Sequence, residues 1–114
     1  MDPKLFSNDG YTWNSHNFAV SPDLFISDHG LSSFWDVTSY SLMPNGTAFV
    51  ATIESKQYPI FANQFHPEQP SSMFIDNYGV NHTWESVNLN DQFGRFFVKM
   101  ARSNNNTFGS FAET

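Results

Sequence analysis

The aromatic content of this chain limits what it can fold into. It has 13 Phe and 3 Trp residues among 114. That is too much large apolar surface for a disordered segment, because disordered segments are poor in aromatic side chains. A chain of this length buries only about two-thirds of the surface that its unfolded form exposes. The sequence therefore predicts either a packed core or one half of a core whose other half lies elsewhere.

Charge and hydropathy exclude two classes of partner. The formal net charge is −6, and the five basic residues form no cluster. Nucleic-acid binding depends on neutralising phosphates with Lys and Arg, so we expect no nucleic-acid partner. No apolar run approaches the roughly 18 residues that a membrane-spanning helix needs, so we expect no membrane span.

The chain contains no cysteine. This composition excludes a disulfide scaffold, a cysteine-based zinc site and a cysteine nucleophile supplied by the chain itself. The four His residues are scattered along the sequence without the paired spacing that is typical of metal ligands. We therefore expect no metal site.

Three segments favour β-strands. Residues 34–42 and 47–54 are rich in β-branched and aromatic side chains, and Pro44-Asn45-Gly46 between them is a turn sequence. This pattern predicts a hairpin. The apolar run at residues 58–65 predicts a third strand that is buried on both faces. We expect the three strands to lie at the margin of a larger sheet, because such a strand needs neighbours and cover on both faces.

Helix signals lie on either side of these strands. Ser21 followed by Pro22 predicts the start of a short helix, with Ser21 as its N-cap. Residues 69–83 contain many turn formers and are expected to form an irregular loop. A helix over residues 87–102 is predicted by an apolar stripe at i, i+4, i+7, i+8 and i+11. The stripe consists of Leu89, Phe93, Phe96, Phe97 and Met100.

The sequence Gln64-Phe65-His66-Pro67-Glu68 ends the third predicted strand. Pro67 favours an extended backbone at His66, and a turn at Pro67 would let the Glu68 carboxylate reach one ring nitrogen of His66. A carboxylate in that place fixes the tautomer of an imidazole base, as in a nucleophilic triad whose third member is Ser or Cys. A His-x-Glu pattern is common, so these residues alone leave the function open.

Longer segments carry a resemblance to a known family. Residues 64–68 resemble the strand-end motif of class I glutamine amidotransferase-like domains, in which His and Glu complete a Cys-His-Glu triad. Residues 54–68 are similar to the gamma-glutamyl hydrolase segment that contains Lys-Tyr-Pro, an apolar strand and Gln-Trp-His-Pro-Glu, with Phe65 in place of Trp. Three further segments are similar to that family's Asn-His segment, its Phe-Phe-x-Val-Leu-Thr strand and its final helix, namely residues 14–22, 34–39 and 96–105. The resemblance covers residues 11–108.

The resemblance implies a fold and a set of site residues. The fold would be α/β, and residues 1–114 would form the C-terminal half of a three-layer αβα class I glutamine amidotransferase-like domain, with residues 109–114 as a flexible tail. His66 and Glu68 would be catalytic, the first as the acid–base group and the second as its orienter. His16 would contact the substrate. The cysteine nucleophile would lie in a preceding half that is missing from this chain, and no cofactor or metal is implied.

The implied reaction is hydrolysis of gamma-linked glutamate from folyl or other poly-gamma-glutamates, which are small peptide-like substrates. The implied localisation is lysosomal or secreted, and three Asn-x-Thr sequons are compatible with it, at Asn45, Asn81 and Asn105. Because the nucleophile is absent, two other functions stay open: a catalytically silent structural or binding subunit, and a glutamine amidotransferase subunit. The expected partners are the missing N-terminal half, a host assembly or a second copy of the chain.

Overall fold

The computed structural model describes residues 10–76, 78–107 and 109. Within these residues, short helices and strands alternate before one long helix. In chain order the elements are α1 (Pro22–Ser27), α2 (His29–Phe34), β1 (Trp35–Leu42), β2 (Ala48–Ser55), β3 (Phe61–Asn63), α3 (Gln69–Ser72) and α4 (Trp84–Arg102). The combination of helices with a three-stranded antiparallel sheet is compatible with the predicted α/β class. Residues 110–114 of the predicted tail lie outside the described residues.

The predicted hairpin is confirmed to within one residue at each end. Strands β1 and β2 pair antiparallel, from Trp35 opposite Ser55 to Leu42 opposite Ala48. In the turn between them, the Met43 amide donates to the Thr47 carbonyl at 2.9 Å, and the Gly46 amide donates to the Met43 carbonyl at 2.8 Å. Gly46 has φ of 83°, a conformation that side chains with a Cβ rarely adopt.

The third predicted strand is wrong in length and in burial. In place of residues 58–65, strand β3 covers only Phe61–Asn63, and all three residues are exposed at the edge of the described sheet, whose order is β1-β2-β3. Residues before it are held in a bend, because the Ser55 hydroxyl accepts from the amides of Gln57 and Tyr58. The Ser55 amide then donates to the Ile60 carbonyl at 2.9 Å, so pairing resumes only after the bend.

Both predicted helices form. Helix α1 begins as expected, with the Ser21 hydroxyl accepting from the Leu24 amide at 3.2 Å and Pro22 as the first helical residue. Helix α4 starts at Trp84, earlier than the predicted residue 87, because Thr83 is the N-cap and accepts from the Ser86 amide at 3.3 Å. The segment 69–83, expected to be irregular throughout, contains the single helical turn α3.

The core is small and leaves much of α4 uncovered. Its buried apolar residues are Phe25, Phe49, Val50, Ala51, Phe65 and Leu89. The predicted apolar stripe of α4 is buried only at its start, since Phe96 is 42% and Phe97 is 71% exposed. Phe93 and Phe96 still pack edge-on against aromatic rings of the strand region, namely Phe65 at 5.3 Å and Phe61 at 4.8 Å. An apolar stripe on a helix usually marks its core-facing side, but here Phe96 and Phe97 in the C-terminal half of the stripe are exposed.

Two further features bear on function. No helix in the described part of the chain is long and apolar enough to cross a membrane. Among the same residues, no group of three or more His, Asp or Glu side chains is placed to hold a metal ion.

Candidate active site

His66 lies beyond the sheet, not at the end of a strand that leads straight into it. Strand β3 stops at Asn63, and His66 forms an isolated antiparallel bridge with Trp13, in which the His66 amide donates to the Trp13 carbonyl at 2.9 Å. The Asn63 side-chain amide donates to the Phe65 carbonyl at 2.6 Å and stabilises the intervening bend. The backbone of His66 is thus held by the N-terminal segment of the chain.

The structure brings the two predicted catalytic residues together. His66 Nδ1 lies 2.9 Å from Glu68 Oε1, across the turn at Pro67. An ionised carboxylate can only accept, so Nδ1 carries the proton and donates. When the ring is neutral, Nε2 then holds the lone pair and can accept a proton. Nε2 forms no hydrogen bond within the described ranges, and the two side chains are 43% and 56% exposed.

Hydrogen bonds keep the Glu68 carboxylate ionised. Partial burial raises the pKa of Glu68, but hydrogen bonds from its own backbone, His66 and Gln69 outweigh this and hold the pKa below its ordinary value. Gln69 Nε2 donates to the same oxygen, Oε1, at 3.1 Å. The Ser71 and Ser72 hydroxyls donate to the Glu68 carbonyl at 3.1 and 2.7 Å, so α3 also fixes the backbone of this residue.

The lowered pKa of Glu68 predicts a pH-dependent contribution to stability. The contribution is fully present above the ordinary value of 4.5 and is lost as the pH falls through the lower pKa of the folded state. We therefore expect Glu68→Gln to be less stable than the wild-type chain at neutral pH and to approach it below pH 4.5. Urea denaturation at several pH values measures the difference. A gap that widens as the pH falls below 4.5 would contradict the ionised carboxylate.

Trp13 packs against His66 and was not expected from the sequence. The two rings have centroids 5.4 Å apart and planes inclined by 54°. The indole is itself held, because Nε1 donates to the Tyr78 carbonyl at 2.8 Å. No local sequence signal could have found Trp13, since its partners are distant along the chain.

Helix α4 fixes the segment that carries Trp13. The Tyr11 carbonyl accepts from the Ser86 hydroxyl at 3.1 Å and from the Asn90 side-chain amide at 2.7 Å. Ser86 is fully buried and Asn90 is 2% exposed. Buried hydrogen bonds of this kind resist displacement, because breaking them leaves polar groups without water or a partner. The chain of contacts runs from α4 through Tyr11 and Trp13 to His66.

The other histidines lie apart from the pair. His16 Nε2 lies 3.2 Å from Asn14 Oδ1, and its ring packs edge-on against Phe49 at 5.5 Å. In the described part of the chain it makes neither a hydrogen bond nor a ring contact with His66, so its role at the substrate stays a prediction. His82 Nδ1 donates to the Pro70 carbonyl at 2.7 Å, and this bond ties α3 to the start of α4. The imidazole ring of His82 also stacks on Phe74.

A cleft of about 400 Å³ opens beside this region, between the sheet and α4. Neither His66 nor Glu68 lines it. Its walls include Thr12, Asn14, Glu54, Asn63, Phe93 and Phe96. The arrangement as a whole places a carboxylate against one nitrogen of an imidazole, a geometry in which the imidazole can act as a base and the carboxylate can orient it. It supplies no cysteine, and no described hydroxyl group is hydrogen-bonded to His66.

Comparison with known proteins identifies relatives of the chain. No protein-family model matches it. It is 31% identical over 102 residues to gamma-glutamyl hydrolase B of Dictyostelium discoideum. The matched region is 90% of this chain and 29% of that protein. It is 31% identical to probable gamma-glutamyl hydrolase 3 of Arabidopsis thaliana, over 90% of this chain and 29% of the relative. It is 29% identical to human gamma-glutamyl hydrolase, over 90% of this chain and 32% of the relative.

The chain therefore spans about 30% of the length of these curated relatives. The predicted resemblance is confirmed, and the chain is a homologue of the gamma-glutamyl hydrolases over about 90% of its own length.

Proposed function

We propose that this chain supplies the acid–base group and its orienter to a Cys-His-Glu triad of a gamma-glutamyl hydrolase. The observation that carries the proposal is the 2.9 Å contact between His66 Nδ1 and Glu68 Oε1. It is the contact that a triad needs between base and orienter. The names of the relatives support a hydrolase, and the short spacing His66-Pro67-Glu68 lies inside the segment that resembles that family's motif.

The proposed mechanism is acyl transfer through a thioester. A cysteine outside these 114 residues gives its proton to His66 Nε2, and its sulfur attacks the carbonyl of the gamma-amide bond. His66 then donates the proton to the departing amine, and the carbon–nitrogen bond breaks. Water, deprotonated by His66, attacks the thioester, so that the free gamma-carboxylate and the thiol are released. Glu68 holds the ring and stabilises the imidazolium without taking the proton itself.

The proposed substrates are folyl or other poly-gamma-glutamates, and the proposed localisation is lysosomal or secreted. The printed names of the relatives support the gamma-glutamyl part of this substrate proposal. The folyl group and the localisation rest on the family resemblance of the sequence. The mechanism needs no metal or organic cofactor.

The proposed partner is the remaining part of a three-layer αβα domain. The chain spans about 30% of its relatives, so a complete hydrolase of this kind has a further segment that can supply the nucleophile. That segment would also cover apolar groups that the described residues leave exposed, such as Phe96, Phe97 and Val98 on α4. A host assembly or a second copy of the chain would meet the same need for cover, without supplying a cysteine.

A catalytically silent subunit is the second candidate, and the absence of cysteine favours it. It would keep the fold for packing or binding and would form no thioester. A glutamine amidotransferase subunit would instead require a synthase partner and glutaminase activity. The two alternatives predict different outcomes from the proposal in an assay of the native protein.

The proposal predicts that the native protein carries a reactive cysteine that this chain lacks. We expect its intact mass to be roughly twice that of the chain or more, the usual range for a complete domain. We also expect gamma-glutamyl hydrolysis to stop on alkylation of one thiol, and substrate to protect that thiol.

The measurements are mass spectrometry of the native protein and an activity assay before and after alkylation. The 114-residue chain alone is the control and should show no turnover. Steady hydrolysis by the chain alone, lost in His66→Ala, would overturn the cysteine mechanism. A native protein without any activity would support the silent subunit.

A further inference from the structure

We propose that Trp13 is a positioning residue for His66, holding the imidazole in the orientation and tautomer that face Glu68. This inference rests on the proposed role of His66 as the acid–base group. It concerns a residue far from the His-Pro-Glu segment in the sequence, and it follows from two separate contacts between Trp13 and His66.

The first contact is through the backbone. The His66 amide donates to the Trp13 carbonyl at 2.9 Å, in a bridge that lies outside the three-stranded sheet. Because β3 ends at Asn63, the sheet does not itself hold His66. His66 lies beyond the strand ladder, so the hydrogen bond from its amide to the Trp13 carbonyl helps to fix its backbone position.

The second contact is through the side chains. The indole of Trp13 packs against the imidazole at a centroid distance of 5.4 Å. The side chain of His66 is 43% exposed, so without this ring one flank of the imidazole would face solvent and other rotamers would become accessible. The bond from Nδ1 to Glu68 exists in only one of those orientations, and it is this bond that selects the Nδ1–H tautomer.

Trp13 can act in this way because it is anchored on both sides. Its own Nε1 donates to the Tyr78 carbonyl at 2.8 Å. Two residues earlier, the Tyr11 carbonyl accepts from the buried Ser86 and Asn90 side chains of α4. A fixed indole restrains its neighbour, whereas a mobile one would only shield it from water.

The test is the tautomer of His66, read by NMR from the two ring nitrogens in 15N-histidine-labelled protein. His66→Gln identifies the signals among the four histidines. In the neutral ring of the wild-type protein, we expect the Nδ1–H form to dominate. Trp13→Ala and Trp13→Leu should lower the ratio of the Nδ1–H to the Nε2–H form about three- to tenfold, the size expected on weakening one hydrogen bond.

Trp13→Phe keeps an aromatic ring against His66 and the Tyr11 anchor but loses the bond to the Tyr78 carbonyl, so its ratio should lie between those of the wild type and Trp13→Leu. Trp84→Phe is the matched control, because Trp84 is 76% exposed at the start of α4 and should leave the ratio unchanged. Circular dichroism establishes that each variant is folded. A folded Trp13→Leu with the wild-type tautomer ratio would overturn the inference.

If Trp13→Ala fails to fold, the comparison of Trp13→Leu with Trp13→Phe decides. If both Trp13→Ala and Trp13→Leu fail to fold, Trp13 is part of the general core and the positioning role is lost. In an active complete protein, Trp13→Leu should lower kcat and leave KM nearly unchanged. The tautomer measurement needs no activity, so an inactive protein with a shifted tautomer would remove the proposed function and keep this inference.

Discussion

Replacing His66 with Ala in the complete protein should lower kcat by about 10²–10⁴-fold, the range for losing a positioned acid–base group. In the proposed mechanism, Nε2 takes the proton from the thiol and returns it to the leaving amine. His66 Nδ1 is bound to Glu68 Oε1 at 2.9 Å, which leaves Nε2 as the ring nitrogen that can take up a proton. Steady-state kinetics on a gamma-glutamyl peptide measure the loss.

Two variants make this experiment specific. His29→Ala is the matched control, because His29 is exposed at the start of α2, outside the site, and its loss should leave kcat unchanged. Glu68→Gln should do less damage than His66→Ala, since in the proposed mechanism Glu68 orients the ring and transfers no proton. A larger loss of kcat in Glu68→Gln than in His66→Ala would show that the two roles are wrongly assigned.

Replacing Phe65 with Ala should cost about 3–5 kcal/mol of folding free energy, the usual range for a buried Phe. Phe65 is 6% exposed and packs edge-on against Phe93 of α4 at 5.3 Å, next to His66 in the chain. A domain is stabilised by only about 5–15 kcal/mol in total, so this single change should leave the protein close to unfolding. Urea denaturation followed by circular dichroism measures the shift.

Phe97→Ala is the matched control in the 114-residue chain. Phe97 is also on α4 but is 71% exposed, so its loss should change the free energy of unfolding by no more than about 0.5 kcal/mol. In the complete protein the same change should cost more, because the proposed partner segment would cover this part of α4. Equal costs for Phe65→Ala and Phe97→Ala in the chain alone would contradict the observed core.

Local features of the fold were predictable because neighbouring residues decide them. The turn at Pro44-Asn45-Gly46 and the N-cap at Ser21 depend on backbone preferences within a few residues, and both form where expected. The contact between His66 and Glu68 is local in the same sense, since one turn brings the carboxylate to the ring. The similarity to gamma-glutamyl hydrolases was likewise visible in short segments, among them residues 14–22 and 54–68.

The third strand and the apolar stripe were only partly predictable. The apolar run at residues 58–65 predicts a buried strand. It does not show that the Ser55 hydroxyl holds the preceding bend, after which the strand covers only Phe61–Asn63. In the same way, the spacing of the stripe predicts which face of α4 is apolar. Whether that face is covered depends on what packs there, and Phe97 remains exposed.

The sequence by itself determined the hairpin, helices α1 and α4, the pairing of His66 with Glu68 and the lack of a cysteine. Only the tertiary structure decided what surrounds His66. Trp13 reaches it because α4 holds the Tyr11 carbonyl through Asn90, which lies 79 positions away in the chain. Contacts over such separations depend on how whole elements pack, and no periodicity or local preference in the sequence encodes them.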